Sequence, residues 1–146
     1  MYRPHIEEVR RVSILVGDIP TREGRAALRR AAAEAELRKA DLIVLNNDAA
    51  KNFDPDDTRR FETALEGLRG RLSQAGVSVE VRHLERSKEP AEDLLDAAES
   101  SHAELIVIGL RRRTPVGKLI LGSNAQRILL DATCPVLAVK ATGQDD

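Results

Sequence analysis

Residues 104–109 read Glu-Leu-Ile-Val-Ile-Gly, a short, nearly all-apolar run rich in β-branched side chains. Such a run predicts a strand that is buried on both faces, as in a parallel sheet. Three similar runs are Val-Ser-Ile-Leu-Val-Gly at 12–17, Asp-Leu-Ile-Val-Leu-Asn at 41–46 and Pro-Val-Leu-Ala-Val at 135–139. Residues 77–81 alternate valine with polar side chains, which predicts a half-covered strand at the margin of the sheet.

A helix-start signal precedes each of four segments with helical periodicity. The signals are Thr21 as N-cap, Asp54–Pro55 as N-cap and first-turn proline, Pro90, and the capping-box spacing of Ser123 and Gln126. We expect the first helix to reach about residue 39 and the second to end at Gly76. The side chains expected to face the core are Leu28, Ala31 and Ala35, then Phe61, Ala64, Leu65, Leu68, Leu72 and Ala75, then Ala91, Leu94, Leu95 and Ala98, and finally Ile128 and Leu129.

The alternation βαβαβαβαβ predicts the fold class. Parallel strands joined by right-handed helical crossovers give an α/β fold, a single-layer parallel five-stranded sheet with helices on both faces. At 146 residues the chain predicts one domain, 1–146, with a core at about 10–140 and a flexible tail at 141–146. Ligands in such sheets bind beyond the carboxyl ends of the strands, where the loops at 17–21 and 109–123 should converge.

Composition excludes several classes of function. Lys and Arg number 23 against 24 for Asp and Glu, and aromatic residues make up 2%, so neither nucleic acid nor an anionic membrane is an expected partner. The single cysteine, Cys134, fits a reducing compartment. The first residues carry acids rather than an apolar run, and no stretch approaches about 18 apolar residues. We expect a soluble, cytoplasmic protein.

A basic loop follows the strand at 104–109. No acidic residue lies between Gly109 and Leu130, and the glycines Gly117 and Gly122 interrupt the segment. The N–H groups at the predicted helix start would suit a phosphate, because that end of a helix carries partial positive charge. The alternative is a solvated basic run beside an ordinary capped helix. The five positive charges are Arg111, Arg112, Arg113, Lys118 and Arg127.

Catalytic and metal-binding patterns are missing from the sequence. A phosphate loop would need glycine at 112 and Ser or Thr at 119, where this chain has Arg112 and Leu119, and no Gly-x-Gly-x-x-Gly follows a strand. We found no paired carboxylates, nucleophile–base pair or metal-ligand set. We therefore expect no enzyme and no metal site, although slow ATP hydrolysis could accompany a bound nucleotide.

The C-terminal third carries a longer pattern. Gly109 is followed at three residues by Arg112 and at thirteen by Gly122-Ser123, and after a helical segment the chain reads Cys-Pro-Val-Leu-Ala-Val at 134–139. This resembles the universal stress protein family, whose signature is Gly-x2-Gly-x9-Gly-Ser/Thr, a helix and Cys-Pro-Val-Leu-Val-Val. Residues 14–17, 25–28 and 105–109 are also similar to that family. The resemblance implies a Rossmann-like fold of the adenine nucleotide alpha-hydrolase type, with strand order 3-2-1-4-5.

The resemblance also implies an adenine nucleotide, ATP or another, with Mg²⁺ as an accompanying ion. Two positions depart from the ATP-binding pattern: Arg112 replaces the second signature glycine, and Ile19-Pro20-Thr21 stands where such members show Asp-Gly-Ser. Asp18 lies one residue early for that pattern. The residues expected around the nucleotide are Gly17, Asp18, Thr21, Asn46, Asn47, Gly109, Arg111, Arg112, Gly117, Gly122, Ser123 and Asn124.

Two functions remain open. In the first, a homodimer binds the nucleotide and acts in the stress response through its bound state. In the second, motivated by the two departures, the same dimer binds no nucleotide and acts through protein–protein interaction. The last strand is apolar yet should form a sheet edge, which favours pairing with a second copy. The expected interface residues are Val136, Leu137, Ala138 and Val139.

Overall fold

Strands and helices alternate along the chain in the computed structural model, which describes residues 12–46, 53–84, 89–113, 118–119 and 121–142. Residues 143–146 of the expected tail lie outside these ranges. The elements are β1 (Ser13–Gly17), α1 (Arg22–Arg38), β2 (Asp41–Asn46), α2 (Pro55–Gln74), β3 (Val79–His83), α3 (Pro90–Ser100), β4 (Ala103–Leu110), β5 (Arg112–Arg113), β6 (Lys118–Leu119), α4 (Ser123–Asp131) and β7 (Val136–Lys140).

Five strands form one parallel sheet in the order β3-β2-β1-β4-β7. The predicted fold class and strand order are confirmed. Leu15 in β1 lies between Ile43 of β2 and Ile106 of β4, so β1 is the centre of the sheet. Connections run outward from β1 to β3 and then return to β4, so strand order reverses between β1 and β4. In such a sheet this reversal opens a crevice at the carboxyl edge.

The sheet separates two apolar cores. On one face, α1 and α2 bury Leu28, Ala31 and Phe61 against the strands. On the other face, α3 and α4 bury Leu94 and Ile128. The predicted inward residues of α1, α2 and α3 lie in or against these cores, because apolar side chains three and four positions apart share one side of a helix. The exceptions are Ala75 and Leu95, which are only half-buried and belong to neither core. Each helix follows a strand of this parallel sheet along the chain, so its N-terminus lies toward the carboxyl edge of the sheet.

The side chains of the two outer strands, β3 and β7, differ in how far they are buried. In β3, Val79 is half-buried and Val81 is 38% exposed, which confirms the predicted half-covered margin. At the opposite edge, the four apolar residues of β7 are all half-buried. The edge position predicted for the last strand is therefore confirmed.

Two predicted helix starts are confirmed by their hydrogen bonds. Thr21 Oγ1 accepts a hydrogen bond from the Gly24 N–H at 3.1 Å, and Asp54 Oδ1 accepts one from the Asp56 N–H at 2.8 Å. These bonds satisfy N–H groups that a helix leaves without an internal partner. The first helix ends at Arg38, and Lys39 closes it in the left-handed conformation with φ 54°.

The capping box predicted at Ser123 is wrong. Gly122 is the N-cap, and Ser123 is already the first helical residue, so its side chain does not occupy the capping position. The Gln126 N–H donates to the Gly122 carbonyl, and Gln126 Nε2 donates to the Leu121 carbonyl at 3.1 Å. The capping box fails because the chain enters helical geometry at Ser123, one residue earlier than a Ser123 cap requires.

Two further differences concern the same region. Leu129, predicted to face inward, is 40% exposed, whereas Ile128 is 3% exposed. Neighbouring helical residues lie about 100° apart, and this nine-residue helix buries only a narrow stripe. The basic loop predicted after β4 contains a short antiparallel pair, β5 with β6. In the described part of the chain, no helix has the length and apolar character needed to cross a membrane.

Candidate functional site

Asp18 and Asn46 meet at the carboxyl edge of the sheet, one residue beyond β1 and at the end of β2. Asn46 Nδ2 donates a hydrogen bond to Asp18 Oδ2 at 3.0 Å, and the Asp18 N–H donates to the Leu45 carbonyl at 2.8 Å. The backbone bond continues the β1–β2 ladder past Gly17. Asp18 is therefore fixed in a defined orientation, although the aspartate of the ATP-binding sequence pattern would stand one residue later, at the position of Ile19.

The environment of Asp18 favours its protonated form. Burial raises the pKa of this carboxyl above 3.8, the hydrogen bond from Asn46 opposes that rise, and the nearby charge of Glu62 adds to it. The pair presents a carboxyl beside an amide, groups that can accept and donate hydrogen bonds to the edge of a heterocyclic base. Glu62, on α2, was not among the predicted site residues, since nothing in its local sequence indicates that its charge lies near Asp18.

The Ile19-Pro20-Thr21 segment is held by close packing and hydrogen bonds. A Cβ on Gly24 would lie 1.7 Å from the Ile19 carbonyl oxygen, so only glycine permits this approach. The Pro20 carbonyl accepts a hydrogen bond from Arg25 Nη1 at 2.8 Å. Thr21 uses its hydroxyl as the cap of α1, so its first role is to hold the loop rather than to face a ligand.

The two strand-end glycines predicted at the site differ in their surroundings. A Cβ on Gly109 would lie 2.4 Å from the Glu23 carbonyl oxygen, so this glycine lets the start of α1 pack on β4. At Gly17, an added Cβ would make ordinary contacts, 3.5 Å from Ile19 Cγ1. The structure thus gives Gly109 a packing role that the sequence pattern did not reveal.

The start of α4 has the features of an anion site. Gly122 is extended, with φ −70° and ψ 166°, and no atom of the described chain lies within 4 Å of its missing Cβ. Ser123 and Asn124 are exposed, and their N–H groups precede the first internal hydrogen bond of the helix. No acidic residue occupies the first turn. These N–H groups and the helix dipole favour a phosphate here.

The basic residues of the loop separate into different roles. Arg111 is exposed at the end of β4. The backbone of Arg112 pairs with Leu119 in the β5–β6 hairpin. Arg127 lies 3.8 Å from Asp131 on its own helix and 3.3 Å from Glu89, the residue that precedes α3. It therefore links α4 to the start of α3. The predicted site residues Asn47 and Gly117 lie outside the described residues.

One buried charged residue near the site was not predicted. Arg25 is 3% exposed, and besides Pro20 it contacts Asp57 Oδ1 on α2 at 3.3 Å. Its signal in the sequence is weak, because an arginine in an alanine-rich helix usually lies on the solvated face. Arg25 therefore connects the loop after β1 to the first turn of α2.

Metal binding and thiol reactivity are two further kinds of chemistry that the described residues could offer. Among them, no three His, Cys, Asp or Glu side chains form a group suited to a metal ion. Cys134 is half-buried against the α3–α4 core, and burial raises the pKa of its thiol, which disfavours the reactive thiolate.

Comparisons with known proteins identify relatives of this chain. A universal stress protein from Mycolicibacterium smegmatis is 42% identical over 131 residues, which cover 89% of this chain and 98% of that protein. The structure of a universal stress protein from Archaeoglobus fulgidus is similar with a TM-score of 0.66 and 31% identity, covering 90% of this chain and all of the other.

A second Archaeoglobus fulgidus structure, of a universal stress protein in complex with dAMP, is similar with a TM-score of 0.62 and 27% identity. It covers 90% of this chain and 99% of the other. The family model of the universal stress proteins matches residues 11–140, nearly the whole described chain. The chain therefore belongs to the universal stress protein family.

Proposed function

We propose that this protein binds an adenine nucleotide at the carboxyl edge of its sheet and acts in the stress response through the bound state rather than through rapid turnover. The observation that carries the proposal is the open start of α4, which lies at the same edge as the Asp18–Asn46 pair. One element suits a phosphate and the other suits a base. The related Archaeoglobus fulgidus protein in complex with dAMP supports an adenine nucleotide as the ligand class.

The base would lie against Asp18 and Asn46. An adenine carries both a donor amino group and acceptor ring nitrogens, and the carboxyl–amide pair offers partners of both kinds. The hydrogen bond of 3.0 Å between the two side chains holds them in place before the ligand arrives. This preorganisation reduces the ordering cost of binding.

The phosphates would lie at the start of α4. The N–H groups of Ser123 and Asn124 are oriented by the helix, and the extended Gly122 leaves the approach open. Arg111, Arg112 or Lys118 of the preceding loop would add positive charge beside the phosphates, and guanidinium groups suit planar, two-point contact with phosphate. Mg²⁺, if it accompanies ATP, would be held through the phosphate oxygens.

The first experiment is to purify the protein without added nucleotide, denature it and identify the released small molecules by chromatography. ATP and AMP are then titrated into the emptied protein. We expect stoichiometric release or saturable binding of an adenine nucleotide. No release and no saturable binding would contradict the proposal.

Variants at the start of α4 sharpen this test. Gly122→Val adds a side chain in front of the helix, and Ser123→Ala removes a hydroxyl from its first turn. We expect Gly122→Val to weaken nucleotide binding at least tenfold and Ser123→Ala to weaken it less. Gly67→Val is a matched control, because Gly67 on α2 also faces open space. Equal affinities in wild type and Gly122→Val would contradict the phosphate placement.

A second candidate is the same protein acting without nucleotide, through protein–protein interaction. The Ile19-Pro20-Thr21 loop favours it, because Arg25 and Gly24 hold this loop in a fixed form that differs in sequence from the ATP-binding pattern. Under this alternative, the titrations above show no binding while self-association persists. For both candidates, we propose a homodimer that pairs through β7 and, since the lone Cys134 suits a reducing compartment, a cytoplasmic location.

A further inference from the structure

Two leucines near the end of α4 have exposed side chains. Leu129 is 40% exposed and Leu130 is 82% exposed, whereas Ile128 beside them is 3% exposed. The three residues are consecutive in one helix, so each points to a different side of it. The side of α4 on which each leucine lies determines what it can contact.

The ion pairs of Arg127 show which side of α4 is turned toward α3. Arg127 Nη1 lies 3.3 Å from Glu89 Oε2, and Arg127 Nη2 lies 4.0 Å from Glu92 Oε1 on α3. Ile128 points into the α3–α4 core. Successive helical residues lie about 100° apart, which places Leu129 on the side of α4 opposite to Arg127. Leu129 therefore faces away from α3.

The side of α4 that faces away from α3 is turned toward the open edge of β7. α3 packs on β1 and β4, and α4 packs beside α3 on the same face of the sheet. β7 is the outermost strand next to β4, so α4 lies between α3 and that edge. On this face of β7, Val136 and Ala138 are half-buried. We call Leu129, Val136 and Ala138, which lie on this face beside the open edge, the edge strip.

The symmetry of the proposed homodimer determines what meets the edge strip. When an edge strand pairs with the same strand of a second copy, a two-fold axis maps the interface onto itself. A continuous hydrogen-bonded sheet then requires the two β7 strands to run antiparallel about an axis perpendicular to the sheet. Rotation about that axis leaves each helix on its own face of the sheet. The two α4 helices therefore lie on the same face, one on each side of the β7–β7 junction, and their Leu129 sides face each other.

The size of β7 shows that a stable dimer needs more than strand pairing. The strand has five residues, so its edge is about 17 Å long and, with its side chains, about 10 Å high. Such an edge offers roughly 170 Å², whereas stable interfaces bury about 800 Å² on each partner. We propose that the edge strip belongs to the dimer interface, where Leu129 of one copy packs against Leu129 of the second copy across the two-fold axis. This inference rests on the homodimer of the proposed function.

Sedimentation of charged variants of the full-length protein tests this placement. Leu129→Glu brings two carboxylates together across the axis, so we expect the dissociation constant of the dimer to rise at least about tenfold. Leu130→Glu is the matched control, because Leu130 is the adjacent leucine and points into solvent, about 200° around the helix from Ile128. Its dissociation constant should stay close to that of wild type. An unchanged dissociation constant for Leu129→Glu, or equal losses in both variants, would overturn the proposal.

A mixture of opposite charges gives a result that misfolding of a variant would not produce. Leu129→Lys alone should also weaken the dimer. An equimolar mixture of Leu129→Glu and Leu129→Lys should sediment as a dimer, because opposite charges then face each other across the interface. The same two substitutions at Leu130 should show no preference for the mixed dimer. A mixture at position 129 that stays as dissociated as either variant alone would overturn the direct contact between the two leucines.

Wild type and Ala138→Pro separate this proposal from the proposed homodimer. Proline at position 138 disturbs strand pairing at the β7 edge. If wild type is dimeric, Ala138→Pro is monomeric and Leu129→Glu remains dimeric, the homodimer stands and the role of Leu129 is wrong. A monomeric wild type would contradict both. A failure of AMP or ATP to bind would contradict the proposed nucleotide and leave these sedimentation results unaffected.

Discussion

Gly24 shows how a missing side chain positions two segments of this protein. The Ile19 carbonyl oxygen occupies the space that a Cβ would need, at 1.7 Å. Gly24→Ala should therefore force α1 away from the loop after β1 and lower the free energy of unfolding by about 1–3 kcal/mol. Urea unfolding measures this loss.

The matched control for this substitution lies on α2. Gly67 is exposed within the helix, and no atom is within 4 Å of the position of its missing Cβ. Gly67→Ala should raise stability by about 0.5–1 kcal/mol, because alanine loses less backbone entropy than glycine in a helix. If the two substitutions had the same effect, the close contact at Gly24 would not be decisive.

Asp18 should make the free energy of unfolding depend on pH. Burial raises its folded pKa above 3.8, so the folded state binds the proton more tightly than the unfolded state. Stability from this group is therefore present at low pH and is lost as the pH rises from about 3.8 through the folded pKa. Asp18→Asn removes this titration and keeps a hydrogen-bond acceptor for Asn46.

The difference in unfolding free energy, Asp18→Asn minus wild type, should then increase with pH across this window and level off above it. Urea unfolding of both proteins at several pH values between 3.5 and 7 measures the difference. A difference that stays constant or falls with pH would mean that Asp18 is not held in the half-buried position beside Asn46.

At the scale of elements, the helix starts test the capping signals. The Thr21 hydroxyl accepts the Gly24 N–H at 3.1 Å, so Thr21→Ala should lower the free energy of unfolding by about 1 kcal/mol. Thr21→Ser keeps the acceptor and should remain close to wild type. Thermal or urea unfolding distinguishes them, and an equal loss in both variants would assign the effect to the threonine methyl group instead.

The start of α4 shows why a capping pattern alone can mislead. Ser123 and Gln126 have the right spacing, but Gly122 is the residue that keeps non-helical, extended geometry. Where a helix begins depends on the path by which the preceding segment reaches it, here from the β5–β6 hairpin. Thr21 and Asp54 are predicted correctly, since each keeps non-helical geometry and its side chain accepts an N–H of the first turn.

At the scale of the whole molecule, the open edge of β7 is the surface that should carry self-association. The Ile106 N–H donates to the Pro135 carbonyl at 3.0 Å, so in the alternating pattern of a parallel ladder the Ala138 N–H faces away from β4. Ala138→Pro removes that N–H without removing a bond to β4. We expect wild type to sediment as a dimer at micromolar concentration and Ala138→Pro to sediment as a monomer.

Ala138→Val is the control for this edge. It keeps the backbone N–H and suits a strand, so it should remain dimeric. Circular dichroism of Ala138→Pro checks that the monomer is folded. A monomeric wild type would contradict the proposed dimer, and a folded, dimeric Ala138→Pro would place the interface elsewhere on the molecule.

The sequence by itself determined the order of the elements, the parallel sheet and the two cores, because the periods of apolar residues in strands and helices are local properties that each segment displays alone. It also indicated both ends of the candidate site, with Asp18 and Asn46 after two strands and Gly122 before the last helix.

Tertiary structure alone decided which residues meet. The contacts of Asp18 with Asn46 and of Arg25 with Asp57 join residues 28 and 32 positions apart. They depend on strand register and on how α1 packs against α2. The exposure of Leu129 also follows from packing between elements. No window of sequence contains both sides of such a contact, so the sequence does not show it.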